Sequence, residues 1–202
     1  MAGTDAEAAA IRAFKRSGGI LRTKDALADG VHPRTLYRLR DEGVVEALSR
    51  GVYRLTELPD LAHPDLVAVG LRIPKAVVCL LSALAHHDAT NEIPHEVHIA
   101  LPRHTRTPRL DHPPIRVYTF SGKALTTGVD KVEVDGVNVR VYSLAKTVAD
   151  CFKFRNELGV DVAVDALREA VRRHRIPPSK ILQYARVCRV EQVMLPYLQA
   201  LQ

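Results

Sequence analysis

One short stretch, residues 31–43, constrains the fold most, because both its ends and both its faces can be read from the sequence. Pro33 suits the first position of a helix, where a missing N–H costs no hydrogen bond, and Gly43 suits the left-handed position after a helix end. At about 100° per residue, Leu36 and Leu39 share one side of this helix. The opposite side carries Arg34, Tyr37, Arg38 and Asp41. The stretch therefore predicts a helix with one face for a core and one for a polyanion.

The segments that flank this helix indicate a winged helix-turn-helix. Residues 23–28 predict a preceding short helix, with Thr23 as its N-cap and Gly30 in the tight turn. Residues 44–48 and 52–55 are rich in β-formers and enclose a glycine turn, which predicts a hairpin. A hairpin directly after a helix-turn-helix is the arrangement of a winged helix, whose second helix enters the major groove of DNA.

The rest of the first 58 residues completes this small domain. Residues 5–16 predict a helix with acids in its first turn and bases in its last, and Ile20 and Leu21 predict a short strand beside the hairpin. The predicted core consists of Ile11, Phe14, Leu21, Leu27, Leu36, Leu39, Val45 and Leu55. We therefore predict a winged helix-turn-helix DNA-binding domain over residues 1–58.

A second domain is predicted over residues 64–202. Residues 56–64 carry two prolines and no clear periodicity, as linkers do. A helix can begin at Pro64, and the apolar run 76–81 fits a buried strand or a buried helix equally well, with Ser82 as the N-cap of the helix that follows.

The remainder of the chain changes its period from strand to helix. Four strands are predicted at residues 97–101, 115–120, 129–134 and 137–142, the last two joined by the hairpin signal Asp135-Gly136. Helices are predicted at 144–158, capped by Ser143; at 162–174, capped by Asp161; from 177 to about 187; and at 190–201, kinked or split at Pro196. The predicted class is α+β: a winged helix followed by an α/β domain with a mixed sheet of about four strands and flanking helices.

Composition narrows the setting. No apolar run is long enough to cross a bilayer and the N-terminus lacks an apolar signal core, so we expect a cytoplasmic protein without a membrane partner. Cys79, Cys151 and Cys188 form no CxxC pair and are expected to be buried free thiols. The net charge of +6 allows a nucleic-acid partner without requiring one. The charge is spread along the chain and not concentrated in a basic tail. Any nucleic-acid contact must therefore come from the arrangement of cations on the folded surface.

The candidate chemical sites are weak. His95 and His98 are three residues apart and would point to opposite faces of a strand, which is poor metal-ligand geometry. Asp130 and Glu133 could belong to a metal-dependent nuclease, but charged residues on the outer face of a strand are the simpler interpretation. The sequence contains no nucleophile elbow, phosphate-binding loop or dinucleotide fingerprint. We predict no catalytic residue, no metal and no cofactor.

Two basic groups lie in the predicted second domain. One is in a proline-containing loop and the other is on a helix, and each is either solvated or a second surface for a polyanion. The residues of this possible second basic surface are Arg103, Arg106, Arg168, Arg172 and Arg175.

Three passages together resemble a known family. They are residues 20–55, residues 96–103 after the segment Leu81-Ser82-Ala83-Leu84, and residues 142–155, which include Lys146, Asp150, Lys153 and Arg155. The chain resembles the AbiEi antitoxins of bacterial type IV (abortive infection) toxin–antitoxin systems over nearly its whole length.

The resemblance implies two functions. A winged helix would bind the protein's own operator and repress its operon, and a C-terminal domain would counteract a nucleotidyltransferase-like toxin without requiring a stable complex with it. It implies DNA contacts by Arg34, Thr35, Tyr37 and Arg38 in the second helix and by Arg50 at the tip of the wing. The roles of Lys146, Asp150, Lys153 and Arg155 do not follow from it, and Lys146 and Asp150 could form an ion pair on one helix face.

The functional hypothesis is therefore a DNA-binding repressor and antitoxin that is not an enzyme, with Arg34 or Arg38 reading guanine. A first alternative is a solitary winged-helix regulator whose C-terminal domain mediates dimerisation or ligand sensing. A second is a nuclease-like enzyme. The neighbouring reading frame separates the first two, and metal-dependent cleavage lost on changing Asp130 or Glu133 would indicate the third.

Overall fold

The computed structural model describes residues 2–201, with side chains from residue 5, and it divides into two compact units. The first contains the chain up to Pro74 with residues 109–113 and 133–138, and the second contains the remainder. The helix from Pro64 thus groups with the first unit, whereas the sequence places it in the second domain. The domain limits 1–58 and 64–202 stay a prediction, and their outer ends, Met1 and Gln202, lie outside the described residues.

The first unit is a winged helix followed by one further helix. Its elements are α1 (Ala2–Arg16), β1 (Ile20–Arg22), α2 (Thr23–Ala28), α3 (Pro33–Asp41), β2 (Val45–Ser49), β3 (Val52–Leu55) and α4 (Pro64–Arg72). The sheet is antiparallel in the order β1-β3-β2, with Leu21 opposite Tyr53. The predicted winged helix-turn-helix is confirmed.

Two details of the first unit differ from prediction. Arg22, not Thr23, is the N-cap of α2, and no side-chain cap bond forms there. Leu27 is 46% exposed and Ile11 is only half-buried, whereas the other predicted core residues are buried. Helix α2 is six residues long and buries Ala26 alone, so it has no second inward position for Leu27.

The second unit is a mixed sheet with helices. Its elements are β4 (Val77–Val78), α5 (Leu80–His86), β5 (Val97–Pro102), β6 (Ile115–Phe120), α6 (Lys123–Thr126), β7 (Val129–Val134), β8 (Val137–Tyr142), α7 (Leu144–Lys153), α8 (Arg155–Leu158), α9 (Val160–Arg172), α10 (Pro178–Cys188) and α11 (Glu191–Gln199). The strand order is β6-β5-β4-β8-β7. Residues 133–138, which end β7 and begin β8, are the part of these strands that groups with the first unit. Strand β4 pairs antiparallel with β5 and parallel with β8, and β5 pairs parallel with β6.

The α+β class and the mixed sheet are confirmed, with one strand more than the four predicted. The run 76–81 was predicted to be either a buried strand or a buried helix. It contains both the two-residue strand β4 and the start of α5. Asp135 and Gly136 both have positive φ, 48° and 78°, as a two-residue hairpin turn of the predicted kind requires.

The predicted limits of several helices in the second unit were wrong. The N-caps of α5 and α9 are Cys79 and Gly159, not Ser82 and Asp161. The predicted helix 144–158 is divided at Phe154. Pro196 lies inside α11 and does not split it, and a kink there stays a prediction. Ser143 is the N-cap of α7, but its hydroxyl makes no cap bond.

Two predictions from composition can be compared directly with the structure. Cys79, Cys151 and Cys188 are free and buried, as predicted. None of the helices within residues 2–201 has the length and apolarity needed to span a bilayer.

Candidate nucleic-acid interface

Helix α3 has the ends that its sequence predicts. Pro33 is in its first turn, and the Nδ1 atom of the His32 N-cap accepts a hydrogen bond from the Arg34 backbone N–H at 3.1 Å. After the C-cap, Gly43 adopts a φ of 74°, which an L residue reaches only at a cost of about 1–2 kcal/mol. Leu36 and Leu39, each 1% exposed, fix the inward face of the helix in the core.

The outward face of α3 presents Arg34 and Tyr37. Arg34 is exposed and Tyr37 is 46% exposed. The Arg40 guanidinium lies 5.4 Å from the centre of the Tyr37 ring and 2.7 Å from Asp41, so it orders the tyrosine while its charge is matched. The helix therefore offers one cation and one ordered phenol to a groove.

Two residues predicted to contact DNA are engaged inside the first unit. The Arg38 guanidinium lies 2.6 Å from the carboxylate of Glu7 on α1 and 3.9 Å from that of Glu42. Thr35 is only 9% exposed, so its side chain is not part of the outward face. Arg38 thus joins α1 to α3, and burial argues against the contact assigned to Thr35.

Ion pairing separates the cations of the first unit into two groups. Six of those described between residues 5 and 74 lie against a carboxylate: Lys15, Arg16, Arg22, Arg38, Arg40 and Arg54. Five make no ion pair among the described residues: Arg12, Lys24, Arg34, Arg50 and Arg72. The charge that the unit can offer to a partner therefore depends on which cations lack an ion pair and not on its net charge alone.

A groove of about 580 Å³ in the first unit collects three of these five cations. It runs beside α2 and the wing, and no carboxylate is among its described lining residues. They are Arg22, Thr23, Lys24, Leu27, Tyr37, Arg50, Gly51, Tyr53, Leu71, Arg72 and Pro74. Arg50 was predicted from its place at the wing tip, but Lys24 was not predicted. The ion pair between Arg22 and Asp25, which leaves Lys24 without an ion pair among the described residues, cannot be read from their spacing in the sequence.

The possible second basic surface is partly neutralised. Arg168 lies 2.6 Å from the Asp165 carboxylate, whereas Arg103, Arg106, Arg172 and Arg175 are exposed. A polyanion contact by this group stays a prediction.

The motif residues of the second unit form a buried charged cluster. The Lys146 ammonium donates to both carboxylate oxygens of Asp150, at 2.7 and 2.6 Å, and both side chains are fully buried. The ammonium also lies 4.1 Å from the centre of the Tyr142 ring, and the Cys188 thiol donates to Asp150 at 3.2 Å. The ion pair expected on a helix face is therefore enclosed in the core.

Burial raises the pKa of Asp150 above its usual range, although the Lys146 ammonium and the Cys188 thiol both favour the carboxylate. The other two motif residues lie outside this cluster. Lys153 is exposed, 5.3 Å from the centre of the Phe120 ring, and Arg155 donates to the backbone oxygen of Phe152 at 2.9 Å. Lys146 and Asp150 are thus held in the core of the second unit, fully buried.

The weaker candidates remain scattered. His98 is buried, and burial lowers its pKa, while His95, Asp130 and Glu133 are exposed. Within the described part of the chain, no three His, Cys, Asp or Glu side chains are grouped as metal ligands would be.

Comparison with known proteins finds a family model that matches part of the first unit. Residues 9–56 match the family model described as "Transcriptional regulator, AbiEi antitoxin", which confirms the predicted resemblance and supports the general role of a regulator. The fold is similar to that of a solved structure, the RV2827C protein from Mycobacterium tuberculosis, with a TM-score of 0.58 and 14% sequence identity. The similarity covers 96% of this chain and 81% of that chain. No curated protein sequence matches the chain.

Proposed function

We propose that this protein is a transcriptional repressor that binds its own operator as duplex DNA and also acts as the antitoxin of a nucleotidyltransferase-like toxin. The observation that carries the DNA-binding part is the winged helix whose exposed cations, Lys24, Arg34 and Arg50, lack ion pairs among the described residues. The family match over residues 9–56 supports the same role.

The mechanism divides between affinity and specificity. Lys24 and Arg50 bind backbone phosphates and release counterions, which gives salt-dependent and sequence-independent affinity. Arg34 and Tyr37 face the major groove from α3, where an arginine pairs best with guanine. The sequence predicted that either Arg34 or Arg38 reads guanine. We assign this contact to Arg34, because Arg38 is paired with Glu7.

The DNA-binding part is tested with duplexes made from the region upstream of the reading frame. Arg34→Ala should relax the preference at one base pair by about 1–3 kcal/mol, whereas Arg50→Ala should weaken binding to all sequences alike. Lys15→Ala is the matched control, because Lys15 is exposed but paired with Glu57 at 3.0 Å. If Arg34→Ala and Lys15→Ala bind identically, the assignment of α3 as the reading helix is wrong.

The antitoxin part rests on the family resemblance and has its own test. A nucleotidyltransferase-like reading frame beside this one would be expressed with and without the protein. Rescue of growth without co-purification of the two proteins is the expected result. Absence of such a neighbour, or failure of rescue, would favour a solitary regulator.

A further inference from the structure

Helix α4 lies outside the stretch matched by the family model, yet it ends at the groove beside the wing. The match ends at residue 56, and α4 spans Pro64–Arg72. Leu66, Val67, Ala68 and Val69 are all buried, so α4 is a fixed part of the first unit.

Arg22 links the end of α4 to the helix-turn-helix. Its Nη1 donates to the backbone oxygen of Leu71 at 3.2 Å, while its Nε lies 2.5 Å from the Asp25 carboxylate. One guanidinium thereby holds the last turn of α4 against α2. The charge of Arg22 is balanced by Asp25, so its role here is structural. The charge that the end of α4 contributes to the groove is that of Arg72.

Arg72 and the wing meet at Gly51. A Cβ atom placed on Gly51 would lie 3.4 Å from Nη1 of Arg72 and 3.4 Å from the hydroxyl of Thr23. The Arg72 guanidinium and the Thr23 hydroxyl therefore both lie within van der Waals reach of the wing turn at Gly51. Lys24 and Arg50 line the same groove.

We propose that Arg72 is a further DNA ligand, which binds a backbone phosphate of the duplex together with Lys24 and Arg50. Three cations without a carboxylate among the described lining residues repel one another unless an anion lies between them. Duplex DNA supplies about one negative charge per 1.7 Å of its axis, so one backbone can satisfy several of them. The inference rests on the proposed DNA binding and extends the DNA-binding surface beyond the winged helix.

The test uses the full chain and a labelled mixed-sequence duplex, because a phosphate contact needs no operator. Binding would be measured by fluorescence anisotropy over a series of salt concentrations. Arg72→Ala should weaken binding by about three- to tenfold and lower the slope of log K against log salt by about 0.9. Arg72→Lys should keep the slope, since a lysine retains the charge.

The matched control is Arg12→Ala. Arg12 is also exposed and without an ion pair among the described residues, but it does not line the groove. The Arg12→Ala substitution should leave both the affinity and the salt slope near those of the wild type. Circular dichroism would verify that the variants are folded.

Three results overturn the proposal in different ways. If the wild type binds and Arg72→Ala has the affinity and slope of Arg12→Ala, the role of Arg72 is refuted while the proposed function stands. If the wild type binds neither this duplex nor the upstream duplex at low salt, both fail. A loss for Arg72→Ala that is equal at every salt concentration would indicate a change of shape and would also refute a phosphate contact.

Discussion

Replacing Lys146 with Met would expose the energetic role of the buried ion pair. Methionine keeps most of the length and apolar volume of the lysine stem but removes the ammonium, which donates two hydrogen bonds to Asp150 at 2.7 and 2.6 Å. The carboxylate then remains fully buried with the Cys188 thiol as its only described polar side-chain partner. Breaking a buried pair on one side costs about 3–5 kcal/mol, a large part of the stability of an ordinary domain.

The pH dependence of this variant has a definite sign. Burial raises the pKa of Asp150 even with Lys146 present, and without the ammonium the pKa rises further. A carboxyl group whose pKa is higher in the folded state binds more protons there, so stability falls as pH rises from the ordinary Asp value to the raised one. Acidification from neutral pH should therefore restore up to about 1.4 kcal/mol per pH unit in Lys146→Met.

The partner substitutions complete a double-mutant cycle. Asp150→Asn should also be strongly destabilised, but acid should not rescue it in this way because an amide does not titrate. The double variant, Lys146→Met with Asp150→Asn, should lose about 1–3 kcal/mol, less than either single variant, because no unpaired charge is left in the core.

Thiol labelling in urea measures the unfolding of the second unit directly, since Cys79, Cys151 and Cys188 all lie in it. Opening of the second unit would be followed by mass spectrometry of the labelled cysteines. The matched control is Lys153→Met on the same helix, an exposed lysine whose loss should cost less than about 1 kcal/mol. The reasoning is refuted if Lys146→Met behaves like this control or gains nothing from acid.

Two further predictions concern other parts of the molecule. Glu7→Gln should lower stability by less than about 1 kcal/mol and tighten binding to duplex DNA, because Arg38 keeps its charge while the facing carboxylate is lost; unchanged or weaker affinity in anisotropy would contradict this. Cys79, Cys151 and Cys188 should resist iodoacetamide at mildly alkaline pH until the protein unfolds, because burial raises the pKa of all three thiols, that of Cys188 to about 12. Rapid labelling of the native protein would show that the second unit opens readily.

The winged helix could be predicted because its signals are local. Pro33 and Gly43 act on the backbone of the turns in which they lie, and the β-forming composition of residues 52–55 acts within one strand. The same holds for Asp135-Gly136, whose positive φ values depend on the two residues themselves. Such features arise from the same local forces in any fold that contains them.

Charge pairing and burial were decided by the tertiary structure. Arg38 and Arg34 look equivalent on a helical projection, and only the approach of Glu7 from α1 makes one of them a structural link. Strand β4 is two residues long and is recognisable only by its pairing with β5 and β8.

Lys146 shows the same limit most clearly, since a lysine four residues before an aspartate predicts an exposed ion pair on most helices. Here packing around α7 encloses both side chains. The energy of a charge depends on the distance to its partner and on how much water is excluded around it, and neither quantity exists until distant segments meet.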